Sequence, residues 1–218
     1  MSRRIPSAGV GVPQAQTASP PVPIAKARAA RQRERILDAA ELCFIQSGFH
    51  AASMAHIAQT AGMSAGLIYR YFDSKSDIVK AIIERHLESD HHKMIGRLNS
   101  PEDVSRIILQ TFDSWRRRDD PKMNPVLMFE LTAESTRDPE IARAVRSKDR
   151  AMGEGVTQAV RRGAQSRGVK LSLAAARSRA VMLQCLVEGL ALRVVRDPQL
   201  RRSTLKPALD AILAVLMS

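Results

Sequence analysis

Residues 53–75 read SMAHIAQTAGMSAGLIYRYFDSK, and this stretch decides the fold. Ser53 can accept from the free N–H groups of a first helical turn, so it reads as an N-cap. Met54, Ile57, Ala58 and Ala61 then recur at helical spacing. Gly62 can take the left-handed conformation that stops a helix, Met63 is an apolar turn residue, and Ser64 caps a second helix. Leu67, Ile68, Tyr71 and Phe72 supply the apolar side of that second helix. A small residue at Ala58 lets two helices cross closely, and a branched residue at Ile68 locks the second onto a core. The spacing predicts a helix-turn-helix.

An ordinary helical hairpin would satisfy the same turn chemistry. The exposed side of the second helix separates the two readings. It carries Ser64, Ala65, Gly66, Tyr69 and Arg70. Small residues at the leading tip let backbone N–H groups approach an anion. One turn on, hydroxyl and guanidinium groups can hold phosphates or base edges. A merely solvated face would mix Glu with Lys. Ser74-Lys75-Ser76-Asp77 then reads as a capping box that opens another helix and sets Lys75 at its start.

Over Arg35–Ile83 the chain resembles the N-terminal DNA-binding domain of the TetR family of bacterial transcriptional regulators. The matching features are A-A-x-x-x-F-x-x-x-G-F at Ala39–Phe49, I-A-x-x-A-G-M-S at Ile57–Ser64 and G-L-I-Y-R-Y-F-D-S-K at Gly66–Lys75. The resemblance implies an all-α chain of about nine helices. Residues 1–24, rich in Pro, Gly, Ser and Ala without a period, read as a disordered arm; the resemblance makes 25–88 a three-helix DNA-binding domain and 89–218 a larger ligand-binding and dimerisation bundle. It implies DNA contacts at Ser53, Ser64, Ala65, Gly66, Tyr69, Arg70, Tyr71 and Lys75. Ser53, Tyr69 and Lys75 would hold phosphates, and Ser64, Ala65, Gly66 and Arg70 would lie nearest base edges. Ala65 departs from the family, which often carries a basic or longer polar residue there; its methyl group limits contact to a thymine methyl.

The rest of the chain reads as helices separated by clear stops. A first helix covers about Ala27–Ser47, with Ile36, Leu37, Ala40, Cys43 and Phe44 on one face, and Gly48 ends it. A fourth runs from Ser74 to about Leu98. Five more follow, at about 101–118, 125–136, 138–167, 173–196 and 204–217, opened by Pro101, Pro125, Pro139, Ser172 and Thr204. No strand-like alternation occurs. The last two helices are strongly apolar, and the eighth carries small residues at Ala174, Ala175, Ala176, Ala180, Gly189 and Ala191. By the resemblance these two helices pair with their copies in a homodimer; burial within one subunit is the alternative.

Composition points the same way more weakly. The 218 residues carry a net charge of +12, which suits a polyanion, yet residues 26–80 hold eight Lys/Arg against five Asp/Glu. Motif therefore outweighs bulk charge. The basic lead-in of Lys26, Arg28, Arg31, Arg33 and Arg35 reads either as a DNA-reaching arm or as a solvated helix start. Cys43 and Cys185 read as small buried hydrophobes in a reducing compartment. No apolar run reaches membrane length, and a cytoplasmic protein with no membrane partner is expected.

Catalytic motifs are missing: there is no G-x-S-x-G, no Gly-rich phosphate loop and no H-E-x-x-H. No enzyme activity, cofactor or metal is expected. Glu88 with His91 or His92 has helical metal-ligand spacing but lacks a third ligand, and reads as a solvated surface. The expected partners are double-stranded DNA with a palindromic operator, a second copy of the chain, and a small-molecule effector. Phe112, Trp115, Met128, Phe129, Met152 and Met182 are the candidate effector-pocket walls, with plain core packing the alternative for each. Glu130 and Glu134 could meet a cationic ligand or pair with Arg137 at the surface. The function expected is a repressor released from its operator by the effector. The competing reading is a helical small-molecule-binding protein without specific DNA recognition.

Overall fold

The capping signals recur as real caps. The structure is a computed structural model and describes residues 24–88, 100–118, 121 and 124–217. All regular elements among the described residues are helices: α1 (Ile24–Ala51), α2 (Met54–Thr60), α3 (Ala65–Ile68), α4 (Lys75–Glu88), α5 (Pro101–Arg117), α6 (Pro125–Ser135), α7 (Pro139–Ser166), α8 (Leu173–Arg196) and α9 (Arg202–Met217). Ser53, Ser64, Ser100, Asn124, Asp138 and Ser172 each accept from a backbone N–H of the turn they open. Pro101, Pro125 and Pro139 sit at helix starts, where a missing N–H costs nothing. Gly62 and Gly168 close α2 and α7 at φ of 62° and 76°.

The first and last helices differ in their bounds from the sequence reading. The first helix begins earlier, at Ile24, and resumes after a break at Gly48 (φ 75°, ψ 163°) to reach Ala51. The last begins at Arg202, with Pro207 inside it. The expected arm at 1–24 falls almost wholly outside the described residues, as do His91, His92 and the expected continuation of the fourth helix to Leu98.

Three apolar clusters organise the helices. The first joins Ile36, Leu37, Phe44, Ile57, Ile68, Ile78 and Ile82 from α1–α4. It is not closed by those helices alone, because Leu127 and Leu131 of α6 and Ile141 of α7 belong to it. The second packs α5, α7, α8 and α9 through Ile108, Leu109, Val160, Leu183 and Leu213. The third holds Phe112, Trp115, Ala191 and Val194, with Met128 and Phe129 packed against it. Helix α6 therefore places Leu127 and Leu131 in the first core while Met128 and Phe129 face the third. Each buried leucine contributes about 1.5–3 kcal/mol. A close-packed interior transmits a shift of one face to the other, so α6 ties the N-terminal helices to the C-terminal ones.

Candidate nucleic-acid interface

The helix-turn-helix is built as its sequence dictates. Ile57, Ala58, Ile68 and Phe72 are buried, holding α2 and the α3 region against α1 and α4. Ser64 accepts from Leu67 N at 3.3 Å. α3 is a helix only over Ala65–Ile68; turn hydrogen bonds then carry the chain through Tyr71 and Phe72. So short a helix has little macrodipole.

Ser53, Ser64, Ala65, Gly66, Tyr69 and Arg70 are exposed. Tyr69 is 53% exposed although large and aromatic, and nothing lies within 4 Å of a Cβ built on Gly66. Ser64 to Arg70 thus form one accessible face behind which Ile68 is anchored. Tyr71 is half-buried and packs against the first core.

Lys75 differs from the others. Its ammonium donates to the Phe49 carbonyl, lies 3.4 Å from the His50 carbonyl, and sits 4.1 Å from the centroid of the Phe49 ring. Burial pushes its pKa down, and the carboxylate of Glu134 opposes that shift. Arg33 and Arg35 of the basic lead-in also have partners within the protein, Arg33 half-buried and Arg35 still exposed. Arg35 donates to Ala61 O at 2.7 Å, closing α2, and Arg33 lies over the Phe72 ring at 5.3 Å.

A polar seam that the sequence reading missed joins this unit to the C-terminal helices. Glu130 accepts from Phe49 N at 2.9 Å, immediately after the break at Gly48. Glu134 is buried and lies 3.3 Å from His50 Nε2 and 3.8 Å from Arg137. Ser76 donates to Asp138 at 2.8 Å. Both glutamates thus face the N-terminal unit; the expected pairing with Arg137 occurs at Glu134, but that carboxylate is buried rather than at the surface. A second group lies between α1 and α4. Glu41 is 1% exposed and meets His86 at 2.8 Å and Arg85 at 2.6 Å. Burial pushes the Glu41 carboxyl up, but hydrogen bonds from His86 and Arg85 outweigh it and hold the group below its ordinary value. The signal available in sequence was an acid on the apolar face of α1, one helical turn from Leu37 and two residues from Cys43.

The expected pocket walls divide. Phe112 and Trp115 are buried together, with Met128 and Phe129 against them. Met152 is half-buried but is not among the residues of that cluster. Met182 is 55% exposed on α8 and does not join them, which removes it from the walls. Cys185 is exposed on the same helix, correcting its reading as a buried hydrophobe, while Cys43 is buried and within 3.3 Å of Thr60 Oγ1. The small residues of α8 also divide: Ala176, Ala180 and Ala191 are buried within the subunit, and Gly189 is open. No described helix is long and apolar enough to cross a membrane.

Comparison with known proteins agrees with this geometry. Residues 36–82 match the family described as bacterial regulatory proteins, tetR family, and residues 101–218 match the BetI-type transcriptional repressor C-terminal domain. The HTH-type transcriptional regulator UidR of Escherichia coli (strain K12) is 31% identical over 144 residues, spanning 62% of this chain and 67% of UidR. The fold is similar to that of Salmonella enterica GusR (TM-score 0.67, 22% identity, covering 86% of this chain and 95% of GusR). It is also similar to FadR from Bacillus subtilis, solved in complex with stearoyl-CoA (TM-score 0.66, 21% identity, 83% and 96% covered). The chain belongs to the TetR family of helix-turn-helix transcriptional regulators.

Proposed function

We propose that the protein is a repressor that binds a palindromic operator as a homodimer and leaves it when a small apolar effector binds among α5, α6 and α8. The observation that carries the release step is the double membership of α6, with Leu127 and Leu131 in one core and Met128 and Phe129 against the other. An effector wedged beside Phe112, Trp115, Met128 and Phe129 displaces α6. Glu130 and Glu134 carry the displacement to the Phe49–His50 turn, and so to the recognition region. Release requires the effector to bind the DNA-free arrangement more tightly. A shift from one part in a hundred to ninety-nine takes a preference of about 10⁴-fold.

On DNA, Ser64, Ala65, Gly66 and Arg70 lie at base edges in the major groove, and Ser53 and Tyr69 hold phosphates. Tyr71 and Lys75 support the reading face from behind. Dimerisation uses the outer face of α8 and α9, where Val181, Met182 and Ile212 are exposed at 55%, 55% and 44%. Exposed large apolar side chains favour association, and a second copy supplies the two-fold symmetry that a palindrome requires.

The test is selection of bound duplexes from a random library, followed by titration of the enriched site with candidate effectors. The proposal expects one enriched inverted repeat and an effector that raises its Kd. Enrichment of no sequence removes the repressor reading. An effector that binds equally well with and without operator is not the signal.

A further inference from the structure

We infer that the C-terminal helices carry a second, sequence-independent DNA contact: an arginine cluster at the end of the bundle nearest the reading unit, which holds the phosphodiester backbone of the bound duplex. This rests on the reading of the protein as a DNA-binding regulator.

Three chain segments meet there. The last turn of α5 carries Arg116, and Arg118 caps it. The last turn of α8 carries Arg193 and Arg196. Arg201 and Arg202 precede and open α9. Packing brings the segments together: Phe112 and Trp115 of α5 share a cluster with Ala191 and Val194 of α8, and Leu200 and Leu205 pack against it. Arg202 also pairs with Asp113, fixing the start of α9 beside the end of α5. All six arginines are exposed. Over 113–122 and 193–206 the sequence holds nine Lys/Arg against four Asp, a net of +5.

The position of the cluster argues for DNA as its occupant. Met128 and Phe129 of α6 pack against the same aromatic group, while Leu127 and Leu131 of α6 lie in the core of the reading unit and Glu130 bonds Phe49 N. The arginines therefore crown the end of the bundle at which it clasps the DNA-binding helices. Guanidinium groups are weakly hydrated forks that match phosphate oxygens. At physiological salt their field reaches about 8 Å beyond the side chains. Arg193 and Arg196 also sit at a helix C-terminus, where cations are favoured at rest. Exposure of every member suits a long polyanion running past the surface better than a small anion enclosed within it.

The test is the salt dependence of binding to the selected operator, measured on the full chain. Arg118→Gln with Arg196→Gln and Arg201→Gln removes three cations per subunit and touches no core residue. The slope of log Kd against log salt is expected to become shallower by at least two units for the dimer, at about 0.9 for each phosphate no longer neutralised. Affinity for operator and for unrelated duplex should fall by the same factor, at least tenfold at 0.15 M salt, leaving their ratio unchanged. If the triple variant melts below wild type, Arg196→Gln with Arg201→Gln alone is expected to give a slope change of at least one unit. An unchanged slope in folded variants overturns the inference while leaving the repressor reading intact. So does a slope that stays fixed while retention on heparin is lost, which would assign the cluster to another polyanion. A wild-type chain that selects no site overturns the repressor reading itself.

Discussion

Replacing Lys75 by Met removes one ammonium and keeps a stem of similar length. In the sequence this lysine opens α4, where it is expected to hold a phosphate. In the structure its ammonium clamps the Phe49 and His50 carbonyls and lies over the Phe49 ring. A hydrogen bond from a charged group contributes about 1.5–3 kcal/mol, and a cation over an aromatic ring near the surface about 0.5–1 kcal/mol. Burial works against the ammonium, as the downward push on its pKa shows, and cancels part of that sum. A net loss of about 1–2 kcal/mol is expected. For a chain of this size each kcal/mol moves Tm by about 2–4 °C, so Lys75→Met should melt about 2–8 °C below wild type. Its salt slope on operator DNA should stay within about half a unit of wild type, because the ammonium is engaged within the protein and neutralises no phosphate. Thermal unfolding followed by circular dichroism, with anisotropy titrations at several salt concentrations, reads both quantities. A variant that melts with wild type while its slope falls by about 0.9 would refute the clamp and return Lys75 to a phosphate.

Arg70→Ala should weaken operator binding by about 1–3 kcal/mol and change the sequence enriched from a random library, if its guanidinium reads a base. A uniform loss over all sequences would place it on a phosphate instead. Glu41→Gln removes the carboxylate that meets Arg85 and His86, and breaking one side of a buried pair costs about 3–5 kcal/mol. The same group governs acid stability. Its folded pKa lies below its ordinary 4.5, so its contribution is fully present above that pH and is lost as the pH falls through the folded value. Urea unfolding from neutral pH down through the carboxylate range should therefore show a steeper loss for wild type than for Glu41→Gln; parallel profiles would count against the assignment. Met182→Glu on the outer face of α8 should convert the dimer to a monomer by light scattering with helix content unchanged, and a persisting dimer would move the interface elsewhere.

Much of the reading unit was legible because its signals are local. Ser53 and Ser64 each satisfy an N–H three residues away, and Gly62 needs only its own backbone angles. Long polar side chains were legible in identity but not in direction. Lys75 and Arg35 each reach an acceptor 26 residues away, and Glu130 reaches across 81. No local pattern encodes those partners. The roles of Glu130 and Glu134 turned on whether α6 faces the first core or a ligand, and the structure shows Leu127 and Leu131 already in that core. Helix α8 failed for a different reason. It is apolar around much of its circumference, so the pattern showed burial without showing which side. Met182 and Cys185 emerged outside, and Ala176 and Ala180 inside.

The most direct measurement is protection of guanine N7 from methylation across the selected operator. N7 lies in the major groove, where the Ser64–Arg70 face is proposed to enter. Two protected patches, centred about 34–36 Å apart on one side of the duplex, are the expected result for a symmetric pair of reading heads. Arg70→Ala should lose protection at the same guanines in both halves. Protection confined to one half-site, or N7 groups that stay reactive while the sugar-phosphate backbone is shielded, would contradict a paired major-groove reader.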